Sequence, residues 1–514
     1  MIEGALPAGW QSATLGQLRR DGTASIDPRQ HPDEYFELYS IPSFPIGRPE
    51  TVVGRDIGSA KLLLTPGTVV LSKINPRINR VWVVASHTDH RKIGSSEWIP
   101  FSPIAGLRPE YLAYLLRQHS FRDYLAANVS GVGGSLMRVR PRVVDPFSVA
   151  VAPSPEQYRI VSALDSYFSR LDAAEAALQR VEANLKRYRA SVLKAAVEGR
   201  LVPTEAELAR RERRDYEPAT ALLDRILVER RRKWEEAELA KMIAKGKPPA
   251  NDKWKAKYKE PTPPDTDGLP ELPEGWCWAS IEQIESGDRR CAYGVLVPGP
   301  EVSDGVRLVR VGDVRDGVVD ESSLKRISPA IADKFSKTYL RGGEVLVSLV
   351  GTIGRTAVVP LSLAGANVAR AVGVLPVSPL VAFRYVEVWL RSPRIRAELS
   401  GRAHEVARKT LNLEDVRSAT VALAPAHEQR RLVAEVDRLG SVGLALAGQI
   451  AASSSHTASL RQSILKWAFE GRLVDQDPTD EPASVLLERI RAEREAADAK
   501  PNAKRATRKR KAKS

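Results

Sequence analysis

Leu193-Lys194-Ala195-Ala196-Val197-Glu198-Gly199-Arg200-Leu201-Val202 returns 272 residues later as Leu465-Lys466-Trp467-Ala468-Phe469-Glu470-Gly471-Arg472-Leu473-Val474. Other anchors repeat in the same order. Leu6-Pro7-Ala8-Gly9-Trp10 reappears as Leu272-Pro273-Glu274-Gly275-Trp276, and Pro155-Glu156-Gln157 as His427-Glu428-Gln429. Solenoid repeats run about 20–50 residues, so a period this long makes each copy a domain-sized unit. A tandem duplication of this kind points to two similar targets held at a fixed separation.

Each copy has one internal plan, a mixed segment of short β-like runs followed by a long helical one. In the first mixed segment, Gly67 to Ser72 and Val81 to Val84 read as buried strands, and Tyr111 to Leu116 as a short helix. In the second, Gly343 to Ser348, Thr356 to Val359 and Tyr385 to Leu390 fill the same places. The framework is shared while the loops diverge.

From Pro155 the pattern becomes heptads. Leu164, Leu171, Leu178, Leu185 and Val192 fall seven apart, with Tyr167, Ala174, Val181, Tyr188 and Ala195 three residues later, the pattern of a coiled-coil seam. The second copy supplies Val436, Ile450 and Ile464 with Leu439, Leu446, Leu460 and Trp467, weakened by Gly443, Ser453 and Thr457. A helix from Pro155 to Glu198 spans roughly 65 Å, too long for either mixed segment to cover, so the two long helices are expected to pack on each other. A further helix is expected from Pro218 to Lys245, then a hinge marked by Pro248, Pro249, Pro261, Pro263 and Pro264. Pro482 to Ala497 is its counterpart in the second copy.

The expected layout is a mixed domain over 1–153, helices over 154–250, a linker over 251–271, a second mixed domain over 272–424, helices over 425–497 and a basic, disordered tail over 498–514. The fold class is α+β, with an antiparallel helical spacer between two similar mixed domains.

The formal charge of the 514-residue chain is +15, eight of it from Lys500, Lys504, Arg505, Arg508, Lys509, Arg510, Lys511 and Lys513. The rest of the chain is still basic, which favours a polyanionic partner such as nucleic acid. The cysteines, Cys277 and Cys291, and the scattered histidines support neither a disulfide framework nor a zinc site. With no basic segment followed by an apolar run at the N-terminus, and no stretch near 18 apolar residues, the expectation is a soluble cytoplasmic protein.

No catalytic constellation stands out. Gly131-Val132-Gly133-Gly134-Ser135 is neither a dinucleotide fingerprint nor a phosphate loop; it is a turn or a substrate-gripping loop. Asn75-Pro76-Arg77-Ile78 lacks the second proline and the aromatic of an adenine-methyltransferase signature. His427-Glu428 lacks the second histidine of a zinc motif and reads as a helix start. The binding candidates lie on loops beside the paired strands. In the first copy these are Lys73, Asn75, Arg77, Asn79 and Arg80, then Ser130, Ser135, Arg138, Arg140 and Arg142. In the second they are Thr352 and Arg355, then His404, Arg408, Lys409, Thr410 and Asn412. Such residues suit phosphate and base-edge contacts, though a solvated basic surface also accounts for any one of them.

Taken together, the Leu-Pro-x-Gly-Trp starts, the run Val309-Arg310-Val311-Gly312-Asp313-Val314, the strands ending in Ser72 or Ser348, and the Leu-Lys-x-Ala-x-Glu-Gly-Arg-Leu-Val helix ends resemble the specificity subunits of Type I restriction-modification enzymes. The resemblance covers nearly the whole chain. It implies two target recognition domains, each reading half of a split, asymmetric site on double-stranded DNA, and long helices acting as a ruler; two domains on one face of a duplex would stand about one DNA turn apart. It also implies no catalytic residues, no metal and no cofactor in this chain. Two modification subunits docked on the helices would transfer methyl groups from S-adenosylmethionine to adenine, and restriction subunits would use ATP and magnesium. The Lys/Arg tail after Ala499 is not required by the family pattern. A coiled-coil adaptor that binds protein, or an enzyme with an unfamiliar site, are the competing readings.

Overall fold

The computed structural model describes residues 6–19, 23–129, 137–405 and 409–496. The chain forms two compact units, one made of Met1–Gln179 with Ala451–Ser514, the other of Arg180–Ile450. The first mixed segment therefore folds with the last helices of the chain, and the second with the central ones.

Each mixed segment is closed by pairing its two ends. Gln11–Thr14 runs antiparallel to Ser148–Val151, and Cys277–Ser280 to Thr420–Leu423. Beside this closure lies an antiparallel sheet whose middle strand is wholly buried, Val69–Ser72 in one unit and Val345–Ser348 in the other. These continuous Val/Leu runs have a core on both faces, so they lack alternation. Val69–Ser72 is flanked by Val81–Val83 and Trp98–Phe101, Val345–Ser348 by Thr356–Val358 and Val372–Leu375. The expected helices stand at Pro109–Leu115 and Phe383–Arg391. A second lobe differs between the copies. It is a five-stranded sheet in the first unit, in which Tyr35–Tyr39 and Arg91–Gly94 pair in parallel, and a three-stranded one around Val306–Val309 in the second.

The long helices are Ser154–Val197 and Ala426–Phe469. Within the first unit their segments run antiparallel. Ile160, Val161, Leu164 and Phe168 share a core with Ile464, Leu465, Ala468 and Phe469, while further along Arg461 pairs with Asp172. Within the second unit Val192, Ala196 and Val197 share a core with Leu432 and Val436. Leu164, Leu185, Val192, Val436 and Ile464 are buried, and Leu171, Leu178, Leu439, Ile450 and Leu460 partly so.

The second column of the seam differs from the heptad expectation. Tyr167, Val181 and Tyr188 are exposed, as are Ala174, Leu446 and Trp467. On a helix of 3.6 residues per turn, positions three and four after a given residue fall on opposite sides of it. The partner lies on the +4 side, so Val161, Phe168 and Ala196 are buried instead. On the second helix the small Gly443 faces Leu185 and Arg189, which turns Leu446 outward.

The repeated motifs are one packing device used twice. The Trp10 indole Nε1 donates to Glu156 at 2.9 Å, and that of Trp276 to Glu428 at 2.9 Å. Gln157 and Gln429 donate to Ala152 and Ala424 and accept from the backbone N–H groups of Arg108 and Ala382. These glutamates and glutamines are structural, as the helix-start reading of His427-Glu428 expects. The chain then exchanges helices between the copies. Gly471 packs on Pro7 and Gly199 on Pro273, and the N–H of Ala483 donates to Gly9 as that of Ala219 does to Gly275. The helix Ala219–Ala244 buries Ala219, Leu222 and Ile226; residues 483–496, also helical, bury Ala483, Leu486 and Ile490 in the other unit.

Glu428 is fully buried, its second oxygen accepting from the Glu205 N–H at 2.8 Å, and burial raises its carboxyl above the ordinary value. Replacing it by Leu strands two buried donors and should lower stability by at least about 2 kcal/mol, whereas Gln keeps an acceptor. Because the folded carboxyl titrates above the unfolded one, wild-type stability falls as pH rises from about 4.5 through the folded pKa. Urea unfolding over a pH series should show the wild type losing stability relative to Glu428→Gln across that window. A constant difference would rule out the buried carboxylate as its source.

Candidate nucleic-acid interface

In the first unit the connection from Val69–Ser72 to Val81–Val83 turns through two left-handed corners, Asn75 and Asn79, both at φ 47°, around a short 3-10 turn over Pro76–Ile78. Asparagine is among the few side chains that tolerate this region, which accounts for both residues without any ligand. The Ser72 hydroxyl donates to the Ile74 carbonyl at 3.1 Å and accepts from the Ile74 N–H at 3.2 Å. A second segment pairs with this loop. The Asn75 N–H donates to Met137, and the Val139 N–H to Lys73, each at 2.9 Å. Two groups of candidates far apart in sequence thus share one edge.

On that edge Arg77, Arg138, Arg140 and Arg142 are exposed. Arg138 is steered by Glu97 at 3.0 Å. Lys73 is half-buried, its ammonium donating to the Ser96 carbonyl at 2.6 Å; burial, with Arg138 adding to it, pulls its pKa below the ordinary lysine value against the pull of Glu97. Arg80 is also half-buried and reaches the Ile74 carbonyl at 3.4 Å. Asn79 is turned inward, its amide donating to Leu116 at 2.8 Å, so it ties the loop to the helix and presents no side chain to a duplex. Ser130 and Ser135 lie outside the described residues.

The second unit builds the same edge with other side chains. Gly351 and Gly354, at φ 79° and 77°, take the two corners, and Ser348 again bridges the loop, accepting from the Arg355 N–H at 3.0 Å and donating to Thr352. The Leu411 N–H donates to Leu349 at 2.8 Å, the counterpart of the Val139–Lys73 bond, and Val350 bridges to Thr410. Thr352 is exposed and Arg355 half-buried. His404 and Lys409 fall on the paired strands His404–Glu405 and Lys409–Thr410, and Arg408 lies outside the described residues. Asn412 has a structural role. It caps the helix Leu413–Arg417 in a reciprocal pair with Asp415, which occupies its side-chain oxygen.

Two participants escape sequence reading. Glu97, which orients Arg138 from the turn before Trp98–Phe101, and the half-exposed Tyr293, whose hydroxyl accepts from the Leu413 N–H at 3.3 Å, come from distant segments and carry no local signal. Among the described residues no cluster of three or more His, Cys, Asp or Glu has the geometry of a metal site, and no helix is long and apolar enough to cross a membrane. Burial raises the thiols of Cys277, to about 11, and Cys291, which keeps both protonated at neutral pH.

No protein-family model matches the chain. It is 30% identical over 392 residues to the Type I restriction enzyme EcoBI specificity subunit of Escherichia coli, covering 74% of this chain and 72% of that one. It is 23% identical over 539 residues to the EcoKI specificity subunit of Escherichia coli K12, covering 97% and 98%. Its fold is similar to that of a chain solved in work on assembly and conformational transition of the type I R-M system, with TM-score 0.60, 18% identity and 91% and 100% of the two chains covered. It is also similar to the HsdS subunit from Thermoanaerobacter tengcongensis, with TM-score 0.51, 18% identity and coverage of 92% and 99%. The chain belongs to the specificity subunits of Type I restriction enzymes.

Proposed function

We propose that this chain is the non-catalytic subunit that reads DNA sequence for a Type I restriction-modification complex, each mixed segment reading one half of a bipartite, asymmetric site. The observation that carries this reading is the loop edge built twice on the same backbone bonds, with exposed arginines in one unit and Thr352 and Arg355 in the other. A shared frame with divergent side chains is what two readers of different half-sites require. In the same reading, two modification subunits supply S-adenosylmethionine-dependent adenine methylation, restriction subunits supply ATP- and magnesium-dependent cleavage, and the length of the paired helices sets the gap between half-sites.

Binding of a cognate and a random duplex over a salt series separates the roles at the edge. Arg77→Ala and Arg140→Ala should each weaken binding. If the lost contact is to phosphate, both duplexes suffer and the salt slope falls by about one; if it is to a base, the cognate duplex alone loses about 1–3 kcal/mol. Asn75→Gly, which keeps the left-handed corner, should bind as the wild type does. No loss on either duplex for both arginine variants would remove this edge from the interface.

The ruler is tested by lengthening both long helices. Seven residues added to each preserve the seam and extend the pair by about 10 Å, roughly three base pairs. Mapping methylated adenines should then find the same half-sites across a longer gap. An unchanged gap for a folded double-insertion variant would show that the helices do not set it.

A further inference from the structure

In each unit three arginines converge where the short helices of the mixed segment meet the long helices. In the first unit they are Arg117, Arg122 and Arg461. At the equivalent positions of the duplicated sequence the second unit has Arg391, Arg396 and Arg189. What faces these arginines differs. In the first unit the Arg461 guanidinium lies 4.8 Å over the ring of Phe168 and pairs with Asp172, and Phe168 packs edge-on against Tyr114 at 5.4 Å, beside a cavity of about 340 Å³. In the second unit Gly440 stands where Phe168 would be and Leu444 where Asp172 would be, and the cavity there is about 860 Å³.

The loss falls on Arg189, the counterpart of Arg461. Arg396 pairs with Asp316 at 2.6 Å, Arg391 with Glu387 at 3.5 Å, and the neighbouring Arg384 with Asp437 at 2.8 Å. Arg189 lines the cavity and has no ion pair among the described residues; its Nε and Nη2 pack on Gly443, one turn from Gly440, where Nη2 is buried without a hydrogen-bond partner. A side chain built on Gly440 would meet nothing within 4 Å. The walls between are apolar, with Val318, Val436, Leu439 and Leu444 among them. The first unit thus satisfies its arginine with an aromatic ring and a carboxylate from its own chain. The second has glycine and leucine in their places, with the arginine and the space.

We propose that this cavity binds a small aromatic carboxylate, its ring lying over Gly440 where Phe168 lies in the other unit, its carboxylate on Arg189 where Asp172 lies. The volume is in the range of small-molecule pockets, about 300–1,000 Å³, and of the four arginines that line it Arg189 is the one without an ion pair among the described residues. Ring and carboxylate act together, since a guanidinium held over a ring and in an ion pair is satisfied on its face and at its edge.

The test is ¹⁹F NMR titration of the full chain with 4-fluorophenylacetate, with 4-fluorotoluene as the ring alone. Saturable binding is expected with Kd on the order of 1 mM, as befits a ligand of about eleven non-hydrogen atoms. Arg189→Gln should weaken it about tenfold. Gly440→Phe combined with Leu444→Asp, which rebuilds the filling of the first unit, should abolish it. Circular dichroism checks that each variant folds, and Arg189→Gln decides the matter if the double variant does not. Absence of saturable binding to the wild type, equal binding to Arg189→Gln, or equally tight binding of 4-fluorotoluene would each overturn the proposal.

Discussion

A buried carboxylate at the first turn of each long helix holds the fold together. Glu156 and Glu428 each accept an indole N–H from a tryptophan 146 or 152 residues earlier in the chain, and each lies at a helix N-terminus, where the backbone dipole favours negative charge. The bond brings the start of a mixed segment to the start of the helix that follows its end. That juxtaposition lets the first and last strands of the segment zip together, Gln11–Thr14 on Ser148–Val151 and Cys277–Ser280 on Thr420–Leu423. The adjoining glutamine satisfies the backbone on either side of the junction, so a polar cluster in the core is nearly all paired. One oxygen of Glu156 is the exception.

The exchange of helices makes this closure reciprocal. The helix end Gly471 packs on Pro7 of the first copy, and Gly199 of the first copy packs on Pro273 of the second. The left-handed glycines, at φ 68° and 65°, are needed there twice over, for the turn and because a Cβ would lie 2.4 or 2.5 Å from a proline ring. Neither half of the duplicated sequence is therefore a folding unit, since each mixed segment takes part of its core from helices encoded by the other half. This also explains why the helix end is the best-preserved stretch between the copies, as its glycine and apolar residues face the same surface in both units.

The duplication, the long helices and the strand frame were legible because each leaves a local pattern, such as Val69–Ser72 between its glycine and serine or a leucine every seventh residue. The side of the seam was not legible. Heptads mark the leucine column but not whether Tyr167 or Phe168 completes it, and the deciding fact is the direction of the partner. The five-stranded sheet was missed because its strands carry charge inward. Glu37 is fully buried and lies 3.8 Å from Lys92 on the neighbouring strand, so the alternation that reveals a half-buried strand is broken. The helix exchange was invisible because its contacts join residues far apart in sequence, from Ala219 with Gly275 to Ala483 with Gly9, and leave no trace in either neighbourhood. At the candidate interface residue type alone could not separate Arg77, which faces solvent, from Asn79 and Asn412, whose side chains are engaged in the loop and the helix cap.

That separation bears on how such a molecule changes specificity without refolding. The edge is fixed by backbone hydrogen bonds, Val139 to Lys73 in one unit and Leu411 to Leu349 in the other, and by a strand-ending serine whose hydroxyl bridges the turn. Its two corners need only residues that accept positive φ, and the chain has used asparagine in one copy and glycine in the other. None of these bonds depends on the outward side chains. Exchanging Arg77 or Thr352 for another residue leaves the loop's hydrogen bonds intact and costs stability only at the scale of an exposed substitution, within about 0.5 kcal/mol. The physical constraint is thus carried by positions turned inward, and those turned outward are free to vary without cost to the loop.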